Sequence, residues 1–342
     1  MASAQQLAPA QEEARPVTFN RGRYLRYFLW AALIPFLGWL AAFPLVCSRS
    51  YEQWGETQWG PVLEFPYEPG TPAADVVVFG DSSAFLGIDP RLVNAQLGIH
   101  SVVLPSTVGS LPVIGDAPLR SYLAHHPQPK LIVLYFSAWN LDFTHTAPGR
   151  LFEGEEMMLR HASFPEIARF ELKHPAELIA FPIRLYSTFG SKMVMEILHH
   201  KSRAQDTAAA LGHTSYLEPF GPLDNLCRIP STYLKQYGDA TVAELKRRYQ
   251  TPGTQVMVYL APVPNCTNSG AVHDRSFAAL GAAAPALLPP TDFAADPYYA
   301  HIRPPAVPVA SALFANALKQ QLQKTDPELL TASFTTTSAP AR

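Results

Sequence analysis

Charge is what this chain has least of. Only 16% of its 342 residues are Asp, Glu, Lys or Arg, and the formal net charge is −2, where soluble domains usually carry about a quarter of charged residues. Phosphate contacts need a basic face, so the lack of a basic excess argues against nucleic acid as a partner. Cysteine is scarce too. Cys47, Cys227 and Cys266 match no metal-ligand spacing. They permit one disulfide at most, with Cys227 and Cys266 the candidates in an exported domain; three unpaired thiols fit the sequence equally well. There is no internal repeat.

Charge is wholly missing from Tyr27 to Val46. At about 1.5 Å per residue this stretch just crosses a hydrocarbon core. Arg15, Arg21, Arg23 and Arg26 precede it, while Arg49, Glu52 and Glu56 follow. That bias puts the amino terminus in the cytoplasm and the rest of the chain outside an inner, cytoplasmic membrane. Tryptophans at 30, 39, 54 and 59 supply interface anchors, and a membrane helix tolerates Pro35 and Pro44. The exit Phe43-Pro-Leu-Val-Cys-Ser48 is a poor cleavage site, and Val46 is bulky for the residue before a lipid-modified cysteine. The expected organisation is a cytoplasmic tail at 1–23, a retained anchor at 24–47 and an extended connector at 48–74.

The expected globular domain runs from 75 to 325. Four short, apolar, β-branched runs recur: Val76–Phe79, Ser101–Leu104, Leu131–Phe136 and Gln255–Leu260. Helix-like stretches separate the first three, at Pro90–Leu97 and Ala117–His125. Strands alternating with helices predict a three-layer α/β fold with a parallel sheet, flavodoxin-like. The gap between Phe136 and Gln255 is too long for one crossover. It reads as a helical insertion at about 141–250, with helix-like stretches near Pro165–Leu172, Ala176–His200 and Thr232–Tyr249. Above the carboxyl edge of the sheet such an insertion serves as a lid, a partner surface or plain packing. A last helix is expected near Val307–Gln323, then a flexible tail at 326–342.

The run Asp75-Val-Val-Val-Phe-Gly-Asp-Ser-Ser83 holds the first chemistry. Its turn follows a buried strand, where open α/β sheets place their ligands. Ser82 is the candidate nucleophile. A serine hydroxyl needs a base to take its proton and donors for the developing oxyanion. The competing reading is that Asp81, Ser82 and Ser83 only cap the next helix. After the third strand comes Ser137-Ala-Trp-Asn-Leu-Asp142, where Asn140 is a candidate oxyanion donor and Asp142 a residue to hold the loop, or both simply satisfy a turn. Gly109 and the backbone around Thr107 are a further candidate source of an N–H. Among eleven histidines His301, in Asp296-Pro-Tyr-Tyr-Ala-His-Ile302, is best placed to act as base, with Asp296 or Asp292 to orient it. His125, His126, His199 and His200 read as surface residues near helix ends.

Taken together these blocks resemble the SGNH (GDSL-type) hydrolase superfamily, in particular its membrane-anchored, extracytoplasmic branch of polysaccharide and cell-envelope proteins. Gly80-Asp81-Ser82 is similar to the family's first block, and Gly87-Ile-Asp-Pro90 is similar to this branch. Ala138-Trp-Asn140 is similar to the oxyanion block, with Ala138 where the family has Gly. His301 matches the last block, but Tyr298 occupies the family's Asp position and Asp296 lies two residues earlier. The resemblance implies a Ser82–His301–Asp296 site with an oxyanion hole from Ser82, Gly109 and Asn140. It implies an esterase or O-acyltransferase that needs no cofactor or metal and acts on an acylated glycan or other ester. The alternative is a catalytically impaired module that binds a glycan or a membrane-protein partner.

Overall fold

The computed structural model describes residues 21–48, 59–143, 151–187, 209–214, 220–235 and 238–332. The protein is an α/β body built on a four-stranded parallel sheet, with one long apolar helix before it. Helix α1 (Arg21–Val46) has mean hydropathy 2.0 over an 18-residue window and is long and apolar enough to cross a membrane. Strands β1 (Val76–Gly80), β2 (Ser101–Pro105), β3 (Leu131–Phe136) and β4 (Gln255–Leu260) fall where the apolar runs predict them. Their order is β2-β1-β3-β4. Val76 pairs with Ser101 on one side and Leu131 on the other, and Leu131 pairs with Gln255.

Every residue of β1, β2 and β3 is buried, which is why these strands are apolar runs rather than alternating ones. Val77, Phe79, Ile132 and Leu134 face a core shared with Tyr122 and Val242. Val76, Val78 and Val133 face the opposite core, with Val93, Phe314 and Leu318. The covering helices include α2 (Ser82–Gly87), α3 (Pro90–Leu97), α4 (Leu111–Ile114) and α5 (Ala117–His125). The edge of β2 is closed by residues 209–214: Val103 N–H donates to Leu211 O at 3.0 Å. Gly212 lies at φ 90°, and a Cβ there would stand 1.9 Å from Val103 O, so only glycine allows this approach.

Between β3 and β4 lie α6 (Phe152–His161), α7 (Phe164–Lys173), the helical residues 177–187 (α8) and α9 (Ala240–Tyr249). The stretch expected as one helix from Thr232 is split into Ser231–Leu234 and α9. Since α9 packs on β3 and β4, it is the crossover helix and part of the sheet's own cover. The insertion proper packs elsewhere. Helix α6 lies on α4, close enough that a Cβ on Gly154 would meet Val113 at 2.6 Å, and on α1. Cys227 and Cys266 are disulfide-bonded and clip the insertion to the loop after β4.

Two expected boundaries shift. Residues Gly60–Tyr67 are helical, with Leu63 and Phe65 buried, so the α/β body recruits the second half of the expected connector. At the other end α10 (Val307–Thr325) is followed by a short helix, Pro327–Ala332, in what reads as tail; Leu329 and Leu330 pack on the core.

Candidate active site

With β1 flanked by β2 and β3, the chain leaves the sheet in opposite directions at the carboxyl ends of β1 and β3. This is the switch point where a crevice opens in parallel sheets. Ser82 follows the first of these strands and Asn140 the second. Gly80 lets the two strand ends approach: a Cβ on it would lie 1.9 Å from Tyr135 O.

Asp81 separates the roles of the polar triplet Asp81, Ser82 and Ser83. It is the N-cap of α2, and one carboxylate oxygen accepts from Ser83 N at 3.0 Å and from the Ser83 hydroxyl. The other accepts from Ser137 N (3.2 Å), Ser137 Oγ (2.9 Å) and Asn140 Nδ2 (2.8 Å). Asp81 and Ser83 are thereby buried and spent on structure, while Ser82 stays partly exposed. Capping falls to Asp81, with Ser83 bonded to it, which leaves the Ser82 hydroxyl outside the cap. Asp81 is also the hub that ties the β1 turn to the β3 turn. The sequence reading missed this use of Asp81 and Ser137; the signal was a second hydroxyl residue, Ser137, at the end of a strand adjacent to β1.

His301 Nε2 stands 2.7 Å from Ser82 Oγ, and His301 Nδ1 stands 2.5 Å from Asp296 Oδ2. Both His301 and Asp296 are 3% exposed. A carboxylate only accepts, so Nδ1 carries the proton and Nε2 presents its lone pair to the serine hydroxyl. The loop that makes this possible is closed at its base by a Phe293–Ile302 bridge and by Ala294 N–H donating to His301 O at 2.9 Å. At its tip Asp296 Oδ1 accepts from Tyr298 N (2.8 Å) and Tyr299 N (3.2 Å), with Tyr299 at φ 56°. This left-handed turn brings an acid five residues upstream back onto the imidazole. Of the two acids considered, Asp296 takes that place. Asp292 lies at the loop's base, where its backbone oxygen accepts from Arg303 N at 2.8 Å.

Gly109 enters none of the contacts that join Ser82, His301, Asp296, Asp81 and Asn140. It belongs to the turn Thr107–Ser110, which closes on itself through Thr107 N to Ser110 Oγ (2.8 Å) and Ser110 N to Thr107 Oγ1 (3.0 Å). Asp142 does hold its loop, accepting from Thr241 Oγ1 at 3.2 Å. His125 and His126 bond backbone oxygens of their own helix, and His199 and His200 lie outside the described residues. His213 was not foreseen. It is buried behind α2, its Nδ1 2.8 Å from Phe85 O, and burial lowers its pKa so that the ring is neutral.

Aromatic rings flank the site. Trp139, next to Asn140, stacks on Tyr233 at 5.4 Å, and Tyr233 Oη donates to Pro297 O at 2.8 Å. Tyr298 lies 5.0 Å from the His301 ring. Comparison of the chain with family models, with curated proteins and with solved structures finds no match in any of the three.

Proposed function

We propose that the protein is a serine ester hydrolase or O-acyltransferase working outside the cytoplasm on an acylated glycan or a similar envelope ester. The observation that carries this reading is the unbroken chain Asp296–His301–Ser82 at the sheet's switch point. In the proposed reaction Ser82 Oγ attacks the acyl carbonyl while His301 Nε2 takes its proton. Asp296 stabilises the imidazolium that results. The oxyanion is met by the Ser82 N–H, a first-turn helix amide, and by the Asn140 N–H not donated to Asp81. Collapse expels the alcohol, which leaves with the proton from His301. The acyl-serine is then released to water or to an acceptor hydroxyl by the same steps in reverse.

Several features support the details. The strand order matches the first four strands of a flavodoxin-like sheet, in keeping with the SGNH resemblance. Stacked aromatic faces beside the nucleophile suit a sugar ring. Helix α1 with arginines at its start is read as a span with the α/β body outside, and a disulfide fits an oxidising compartment. The alternative of an impaired binding module rested on Tyr298 standing at the acid's position; Asp296 reaching His301 removes that ground.

The test is covalent. A fluorophosphonate should label the purified full-length chain, and Ser82→Ala should abolish labelling. Persistence of the label in that variant removes the nucleophile assignment.

A further inference from the structure

Helix α8 is built inside out. Among its described residues the two charged side chains turn inward: Arg184 pairs with Glu177 and lies 3.6 Å from the buried Glu155 carboxyl of α6. Most of the outward residues described are apolar. Ile179 is 56% and Ile183 64% exposed, with Tyr186 beside them, at the i, i+4, i+7 spacing of one face. The inner face is apolar as well, since Phe181 and Leu185 are buried against Ala42 and Val46 of α1. A helix apolar on both sides belongs in a core or in lipid, not in water.

The contacts with α1 fix where this face lies. Trp39 Nε1 donates to Leu178 O at 2.8 Å and its ring stacks on Phe181 at 5.3 Å. Tyr186 Oη donates to Gly38 O at 2.8 Å, and Pro182 packs against Gly38. Gly38 is eight residues before Val46, about 12 Å along the helix axis from its end. If α1 spans, α8 lies alongside its outer third, within the hydrocarbon. Leu172 and Phe164 are each more than four-fifths exposed on α7, whose other exposed residues include Glu166, Arg169 and Lys173.

We propose that α8 forms a second membrane-seated element, with Ile179, Ile183 and Tyr186 immersed in the acyl chains of the outer leaflet. This rests on the reading of α1 as a span. The occupant is lipid because the face is continuous with the span's own exposed apolar surface at the same depth. The consequence is that the α/β body is held against the bilayer by two contacts rather than swinging on a tether.

The experiment uses the full chain in phosphatidylcholine vesicles, with Cys47→Ser as background because Cys47 is the cysteine outside the Cys227–Cys266 disulfide. Single bimane-labelled variants Ile183→Cys and Ile179→Cys are compared with Phe36→Cys, in the span, and Val309→Cys, on the exposed face of α10. Quenching is read with acyl-chain spin-labelled lipid and with iodide. The expected result is that both isoleucine positions follow Phe36: strong lipid quenching, and iodide quenching several-fold weaker than at Val309. Iodide quenching equal to that at Val309 would overturn the proposal, as would protection from both quenchers, which means a second copy or another protein covers the face. If Phe36 itself escapes lipid quenching, the span reading fails and the proposal with it. Phosphonate labelling of the same samples reports on the Ser82 site separately.

Discussion

Replacing Asp296 by Asn probes the candidate site most sharply, because the local geometry dictates which way the amide must turn. Asp296 Oδ1 accepts two backbone N–H groups, from Tyr298 and Tyr299. In Asp296→Asn the carbonyl oxygen keeps those bonds, so the NH2 group faces His301 Nδ1. A donor there forces Nδ1 to accept, which moves the imidazole proton to Nε2. That nitrogen then points a proton at Ser82 Oγ and cannot remove one. The charge is lost as well. At about 4 Å and an effective dielectric of about 20, an ion pair between the carboxylate and the imidazolium is worth roughly 4 kcal/mol, about a thousandfold in rate. With the wrong tautomer added, kcat/KM for p-nitrophenyl acetate should fall by about 10³–10⁴, as in other triads that lose their acid. The loop's backbone bonds survive, so the Tm should change little. Asp292→Asn, at the base of the same loop, should leave the rate unaltered. A loss below tenfold in Asp296→Asn with the fold intact would refute the assignment of Asp296 as the orienting acid.

Three further outcomes are expected. Asn140→Ala removes an oxyanion donor and should lower kcat about 10²–10³-fold with KM little changed; steady-state esterase kinetics check it. Replacing both Cys227 and Cys266 by Ser opens a loop of sequence separation 39 and should cost about 4 kcal/mol in denaturant unfolding. Glu155 has its pKa pushed up to about 9, first by burial and then by the neighbouring Glu177. Its folded value lies above the unfolded one, so its contribution is full below about pH 4.5 and is lost as pH rises towards 9, at about 1.4 kcal/mol per unit. Glu155→Gln should flatten that decline, narrowing the difference in Tm between pH 6 and pH 8; an unchanged difference would sink the account.

How much of this was legible in the sequence depends on whether the deciding interaction is local. Strands β1, β2 and β3 were legible because strands buried on both faces must be apolar throughout, and runs such as Val76–Phe79 and Leu131–Phe136 leave little room for another reading. Helix α3 was legible from Pro90 at its first position after the capping Asp89. The pairing of Ser82 with His301, 219 residues apart, rested on the place of His301 just before the last helix and on the family resemblance. Asp296 was named but its reach was not derivable, since it depends on a tyrosine adopting a left-handed conformation that sequence does not announce. Gly109 was named for a backbone N–H after the second strand; the hydroxyls of Thr107 and Ser110 hold the turn it belongs to.

The insertion is where composition misleads in an instructive way. The described part of helix α8, residues 177–187, carries a glutamate and an arginine, which composition alone would turn towards water. What decides its solvent is position and the direction of its charges. Glu177 and Arg184 are spent on each other and on Glu155, so the polar groups that would normally face water face the protein, and the isoleucines are left outside. Such an arrangement is unfavourable in water twice over, by exposing apolar surface and by burying ions. It becomes favourable once the exposed side is lipid, because a charge turned into the protein keeps its partners while a charge turned into hydrocarbon would lose them.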